Sequence, residues 1–104
     1  MTGEPPPYEV RIDERQWAEI ATWRSNAQEA LFEFLRDHAA RTPTAPLPPK
    51  LKRLRGLYSG LYQFRVDQER RFIYRVDEER RLVLAEYVGP HPDWRKSRRR
   101  RITP

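Results

Sequence analysis

The chain has 104 residues, no cysteine, a formal net charge of +6, and 38% hydrophobic against 35% charged residues. That length admits one domain with a modest core, and the missing cysteines exclude disulfides and thiolate metal sites. No run of about 18 apolar residues is present to span a bilayer, and the opening MTGEPPPYEV has no apolar signal stretch, so the expectation is a cytoplasmic protein with no membrane partner.

Charge is split along the chain: residues 1–49 hold five Lys or Arg against eight Asp or Glu, and residues 50–104 hold sixteen against seven. A basic half of that size points to an anionic partner, nucleic acid first and an acidic protein second, with a solubilising surface as the plainer alternative.

In chain order, Tyr8, Val10 and Ile12 alternate with Glu9 and Arg11 after three prolines, which predicts a short strand. Asp13 with Gln16, and Ser25 with Gln28, have the spacing of capping boxes, so one helix starts at each. In the first, Trp17, Ile20 and Ala21 form the apolar side; in the second, Ala27, Ala30, Leu31, Phe34 and Leu35 do. His38 closes the second helix and reads as a structural residue at its C-terminus. The four prolines of TPTAPLPP, residues 42–49, forbid a helix and make a stiff connector to the basic segment KLKRLRG, residues 50–56.

Residues 61–88 carry two similar blocks ten residues apart, FRVDQERRF and YRVDEERRL, each centred on a polar turn between alternating runs. This predicts a three-strand meander in which Tyr62, Phe64, Val66, Phe72, Tyr74, Val76, Leu82 and Leu84 face the helices. Pairing Val66 with Phe72 and Val76 with Leu82 sets Arg65, Ile73 and Ala85 in one row of the opposite face. Asp67, Arg71 and Tyr87 form the next row, and Gln63, Arg75 and Val83 the third. After the last strand, VGPHPDWRKSRRRR supplies His91, Trp94 and a run of arginines.

The order and spacing of RIDER, the segment ending in LRG, RRFIYRVDEE and a last strand ending in VG resemble the RelE/ParE superfamily of toxins from toxin–antitoxin systems. The resemblance extends over nearly the whole domain. It implies an α+β fold of order β-α-α-β-β-β, an antiparallel sheet packed on a two-helix hairpin, over residues 1–94, with 95–104 as a flexible basic tail. It also implies a cytoplasmic toxin neutralised by a cognate antitoxin and acting as a ribosome-dependent mRNA endonuclease on the ribose 2′-OH, without metal or other cofactor. ParE-like members instead poison DNA gyrase, and a catalytically silent nucleic-acid-binding module is a further alternative.

Carried onto this chain, the resemblance makes Arg65, Arg71 and His91 the catalytic candidates. Two guanidiniums would clamp the scissile phosphate and its developing charge, and histidine is the side chain that exchanges a proton near neutral pH. Lys50, Lys52, Arg53 and Arg75 would contact RNA backbone, and Tyr87 or Trp94 would stack on a base. Each has a plainer reading: arginines and lysines on exposed strands solubilise, a tryptophan beyond a strand covers the core, and a histidine between prolines braces a turn. The chain departs from the pattern at Gln63, where many RelE-branch members carry a second basic residue, and at Trp94, near which many carry a tyrosine. In the YoeB-like branch a histidine transfers the proton.

Overall fold

The computed structural model describes residues 7–92. Trp94 and the segment 95–104 lie outside the described residues, as does the boundary drawn between them.

Strand β1 (Glu9–Arg11) leads into helix α1 (Glu14–Ala21) and helix α2 (Ser25–Phe34), which widens into a π-helical turn over Leu35–Ala39. Four strands follow: β2 (Leu51–Arg53), β3 (Leu61–Arg65), β4 (Arg70–Asp77) and β5 (Leu82–Pro90). They form one five-stranded sheet in the order β1-β5-β4-β3-β2. The α+β class and the expected order hold, with β2 as a short addition made by the basic segment. The sheet is mixed rather than wholly antiparallel, because β1 runs parallel to β5, with Val10 opposite Val83. No hairpin joins these two edge neighbours, so nothing forces their directions to oppose. No helix among the described residues is long and apolar enough to cross a membrane.

The start of α1 is written in the sequence: the Asp13 carboxylate accepts from the Gln16 N–H at 2.8 Å, and the Gln16 side chain accepts from the Asp13 N–H at 2.9 Å. The matching expectation at Ser25 fails. Arg24 takes the cap position with no side-chain bond, and the Gln28 amide instead donates to the Ile20 carbonyl at 2.9 Å, tying α2 to the end of α1. A side chain that bonds a terminal carbonyl of the neighbouring helix is no longer available for its own cap.

The core lies between α2 and one sheet face. Phe34 stacks on Phe64 with ring centroids 3.8 Å apart, and Phe72 and Tyr74 close around it at 6.4 and 5.9 Å. Leu31, Ala27, Ile20 and Trp23 complete the cluster. Trp17, expected inside, is 43% exposed and packs against Phe32 on the outer side of the hairpin; Trp23 takes the buried place, and its indole N–H donates to Glu19 at 3.2 Å. Tyr74 donates its hydroxyl to the Pro43 carbonyl at 2.6 Å, which pins the proline-rich connector, and burial pushes its pKa far above the ordinary phenol range. His38 is structural, as read: Nε2 donates to the Ala45 carbonyl at 3.0 Å and the ring stacks on Phe34.

The register differs from the simple alternation in two places. Phe64, not Val66, stands opposite Phe72, because Asp67 accepts from the N–H groups of Glu69 and Arg70 and folds a tight turn just after Val66. In β5 the phase is shifted. Val76 pairs with Val83, so Val83, Ala85 and Val88 join the core while Leu82 and Leu84 lie on the other side. The shift follows from Arg81, which turns into β5 at a φ of +56°, and a bulge between Ile73 and Tyr74 shifts the register again between Ala85 and Tyr87.

Candidate nucleic-acid interface

On the face turned away from the helices, the observed register produces rows that alternation alone does not. Arg65 stands directly opposite Arg71, which in turn stands opposite Gly89. The next row is Lys52, Gln63, Ile73 and Tyr87, and beyond it come Leu61, Arg75 and Leu84. The predicted grouping of Arg71 with Asp67 and Tyr87 is thereby replaced by an arginine pair, a consequence of the tighter β3–β4 turn.

Arg71 is only 9% exposed. Its Nη1 donates to two neutral backbone acceptors, the Asp67 carbonyl at 2.7 Å and the Arg70 carbonyl at 3.1 Å. Among the described residues no carboxylate forms an ion pair with it or with Arg65. The nearby Asp67 carboxylate is held instead by the N–H groups of Glu69 and Arg70 and by the Arg70 guanidinium at 2.9 Å. Burial would raise the Asp67 pKa, and those bonds together hold it below the usual value. Burial, followed by repulsion from Arg65, lowers the pKa of Arg71, with Asp67 pulling the other way. A guanidinium stays charged through such a shift. Two like charges thus share a rung with no counter-ion among the described residues, and an anion bound between them would relieve that repulsion.

His91 follows the end of β5. Its N–H donates to the Glu69 carbonyl at 2.8 Å, extending the ladder one step beyond the Arg70–Pro90 pair, and the strand alternation sets it on the face of Gly89 and Arg71. Nδ1 donates to the Pro92 carbonyl at 2.8 Å, so the neutral ring carries its lone pair on Nε2. Tyr87 donates its hydroxyl to the Pro90 carbonyl at 2.5 Å, and burial, then Glu19, raises its pKa, so it remains a donor. The hydroxyl lies over Gly89, where a Cβ would come within 3.1 Å of it and where φ is +157°. Glycine therefore leaves room for the Tyr87 side chain to lie across the strand beside Arg71, a role its place at the end of the run LAEYVG does not announce.

The other expected contacts divide. Lys52 lies opposite Gln63 on this face, and the Lys50 carbonyl accepts from the Arg65 N–H at 2.8 Å, which brings Lys50 alongside Arg65. Arg53 is not brought to the pair: it stands opposite Tyr62 with its guanidinium 5.8 Å from the ring centroid, on the helix-covered side. Arg75 is bound by Glu86 at 2.5 Å, which neutralises it. A groove of about 720 Å³ runs between α1 and β5, but Asp13, Glu14, Glu19 and Glu86 line it, and carboxylates repel a phosphate. Among the described residues no three His, Asp or Glu side chains gather as metal ligands.

Solved structures with the same architecture connect this site to known proteins. The YoeB/ParE toxin from Agrobacterium tumefaciens superposes with a TM-score of 0.69 at 25% identity, over 81% of this chain and 99% of that one. The RelBE2 toxin–antitoxin complex from Mycobacterium tuberculosis gives 0.64 at 25% identity, over 82% and 99%, and a double arginine-to-alanine mutant of E. coli toxin RelE in the free state gives 0.62 at 25%, over 80% and 82%. This chain is a RelE/YoeB-like member of the RelE/ParE superfamily. Neither a family model nor a curated protein matches its sequence. The superfamily fold accounts for the two-sided design of the sheet: helices on one side, and the Arg65–Arg71 rung on the other.

Proposed function

We propose that this protein is the toxin of a toxin–antitoxin module and that it cleaves ribosome-bound mRNA at the Arg65–Arg71 pair. The observation that carries this reading is the cross-strand arginine rung, which has no carboxylate partner among the described residues, on a sheet whose last strand leads into a histidine that uses Nδ1 to donate to the Pro92 carbonyl and so keeps its acceptor at Nε2. A scissile phosphate seated there meets two bidentate donors. His91 takes the proton of the ribose 2′-OH, the 2′-oxygen attacks phosphorus, and the guanidiniums stabilise the charge that gathers on the phosphorane oxygens. The P–O5′ bond breaks, leaving a 2′,3′-cyclic phosphate on one fragment and, after protonation by water, a 5′-hydroxyl on the other. The tyrosine that many relatives place after the last strand is not needed for this scheme, because His91 does its work as in the YoeB-like branch.

Lys50 and Lys52 extend the cationic face along β2 and would hold the flanking backbone. The similar RelBE2 structure is a toxin–antitoxin complex, and this chain's basic half suits an acidic antitoxin segment, which would cover the same face in the cytoplasm until released. The test is induction in cells of wild type, Arg71→Ala and His91→Ala, with mRNA 5′ ends mapped across translated frames. New ends inside codons for wild type, reduced about 10²-fold or more in both variants, are expected. Growth arrest with intact mRNA would sink the nuclease reading and favour gyrase as target.

A further inference from the structure

The peptide unit between Pro90 and His91 is held at both of its polar ends. Its carbonyl accepts from the Tyr87 hydroxyl at 2.5 Å, and its N–H donates to the Glu69 carbonyl at 2.8 Å. One partner is a side chain three residues back on β5, and the other belongs to the turn between β3 and β4. A planar peptide bonded through both groups cannot turn about its flanking single bonds without breaking one of them. One step further on, His91 Nδ1 donates to the Pro92 carbonyl at 2.8 Å. Three hydrogen bonds therefore fix the backbone and the ring of a residue that is exposed and lies just past the end of its strand.

The tyrosine reaches this carbonyl because of what stands between them. Tyr87 and Gly89 share a strand face by alternation. A Cβ at position 89 would come within 3.1 Å of the Tyr87 hydroxyl oxygen and 3.4 Å of the ring carbon that bears it. With glycine there, the side chain lies along the strand and delivers its O–H to the Pro90 carbonyl. Burial, then Glu19, holds the phenol pKa above its ordinary value, so the group remains a donor throughout the neutral range.

We infer that Tyr87 is a positioning residue for His91: its hydroxyl, acting through the Pro90 carbonyl, holds the imidazole where Nε2 meets the ribose 2′-OH. This rests on the nuclease reading above. Proton transfer needs its heavy atoms within about 2.6–3.2 Å, so slack in the backbone that carries the histidine is lost as rate rather than as affinity. The assignment differs from base stacking, for which the ring and not the hydroxyl would matter. It differs too from a bond that merely closes the end of β5, which would act on stability and not through His91.

The experiment follows cleavage of an mRNA on translating ribosomes by the full chain under single-turnover conditions, for wild type, Tyr87→Phe, His91→Ala and the double variant. Phenylalanine keeps the ring and removes only the hydroxyl. Tyr87→Phe should lower the maximal rate about 10-fold and leave the toxin concentration that gives half of it unchanged. In the His91→Ala background the same change should cause no further loss, because the group it positions is gone. A wild-type maximal rate in Tyr87→Phe, a loss confined to the half-maximal concentration, or an equal further loss on top of His91→Ala overturns the inference and leaves the nuclease reading standing. A wild-type protein that cuts no mRNA overturns both.

Discussion

The two faces of the sheet come from the same alternating strands and have opposite electrostatic character. Towards the helices, Phe64, Phe72 and Tyr74 close on Phe34, and the one hydroxyl buried among them finds the Pro43 carbonyl. On the other side, Arg65 and Arg71 repel each other across a rung and Gln63 holds an oxygen with no donor among the described residues. The first face has its polar groups satisfied and its rings in contact, so it stabilises the fold. The second leaves charge and hydrogen-bonding capacity unmet among the described residues, which weakens the free protein and is the feature on which the proposed phosphate site rests.

Substitutions on either side should separate these roles. The largest effect belongs to the covered face: Phe72→Ala, which empties the centre of the aromatic cluster, should cost about 3–5 kcal/mol in urea unfolding and abolish activity only because the protein unfolds. Arg71→Ala, at the adjacent position of β4 but on the other face, should leave stability within about 1 kcal/mol of wild type while activity falls. If Arg71→Ala unfolded the chain as Phe72→Ala does, the division between the faces would be wrong.

A smaller effect is expected at the start of α1. Asp13→Ala removes one half of the capping box and should cost about 1 kcal/mol, visible as a lowered urea midpoint with unchanged slope. The smallest concerns the β3–β4 turn that creates the arginine rung. Asp67 has a folded pKa below its ordinary 3.8, so its contribution to stability is complete above that value and is lost as pH falls through the depressed folded value. With its side chain 38% exposed, solvent screening keeps the contribution small. Asp67→Asn should flatten the acid limb of a stability–pH curve below about pH 4 and leave the neutral region nearly unchanged; an acid limb identical to wild type would place the acid sensitivity elsewhere.

Much of this could be read from the residues in order. The Asp13–Gln16 box, the apolar stripe of α2, the proline connector and the repeated turn blocks are local patterns, and local patterns are what a sequence displays directly. The general position of Arg65 and Arg71 on an uncovered face was equally legible, since alternation assigns faces within a strand. Pairing between strands was not. The Arg65–Arg71 rung depends on where the Asp67 turn closes, and the displacement of Leu82 and Leu84 from the core depends on Arg81 and the bulge beside Tyr74. The exchange of Trp17 for Trp23 shows the same limit in the helices, where the crossing of two short segments, not their periodicity, decides which indole is covered.

By itself, then, the sequence determined the class of the fold, the order of its elements, the basic character of its second half and the residue types available for phosphate chemistry. Those properties follow from spacing, propensity and charge, which act over a few residues or over the chain as a whole. Only the tertiary structure decided that two arginines oppose each other, that Gly89 leaves room for Tyr87 beside them, that Glu86 neutralises Arg75, and that Gln63 is buried without a donor among the described residues. These depend on contacts between residues distant in sequence, whose geometry is set by a one-residue difference in a turn or bulge, and such a difference moves every partner along the strand.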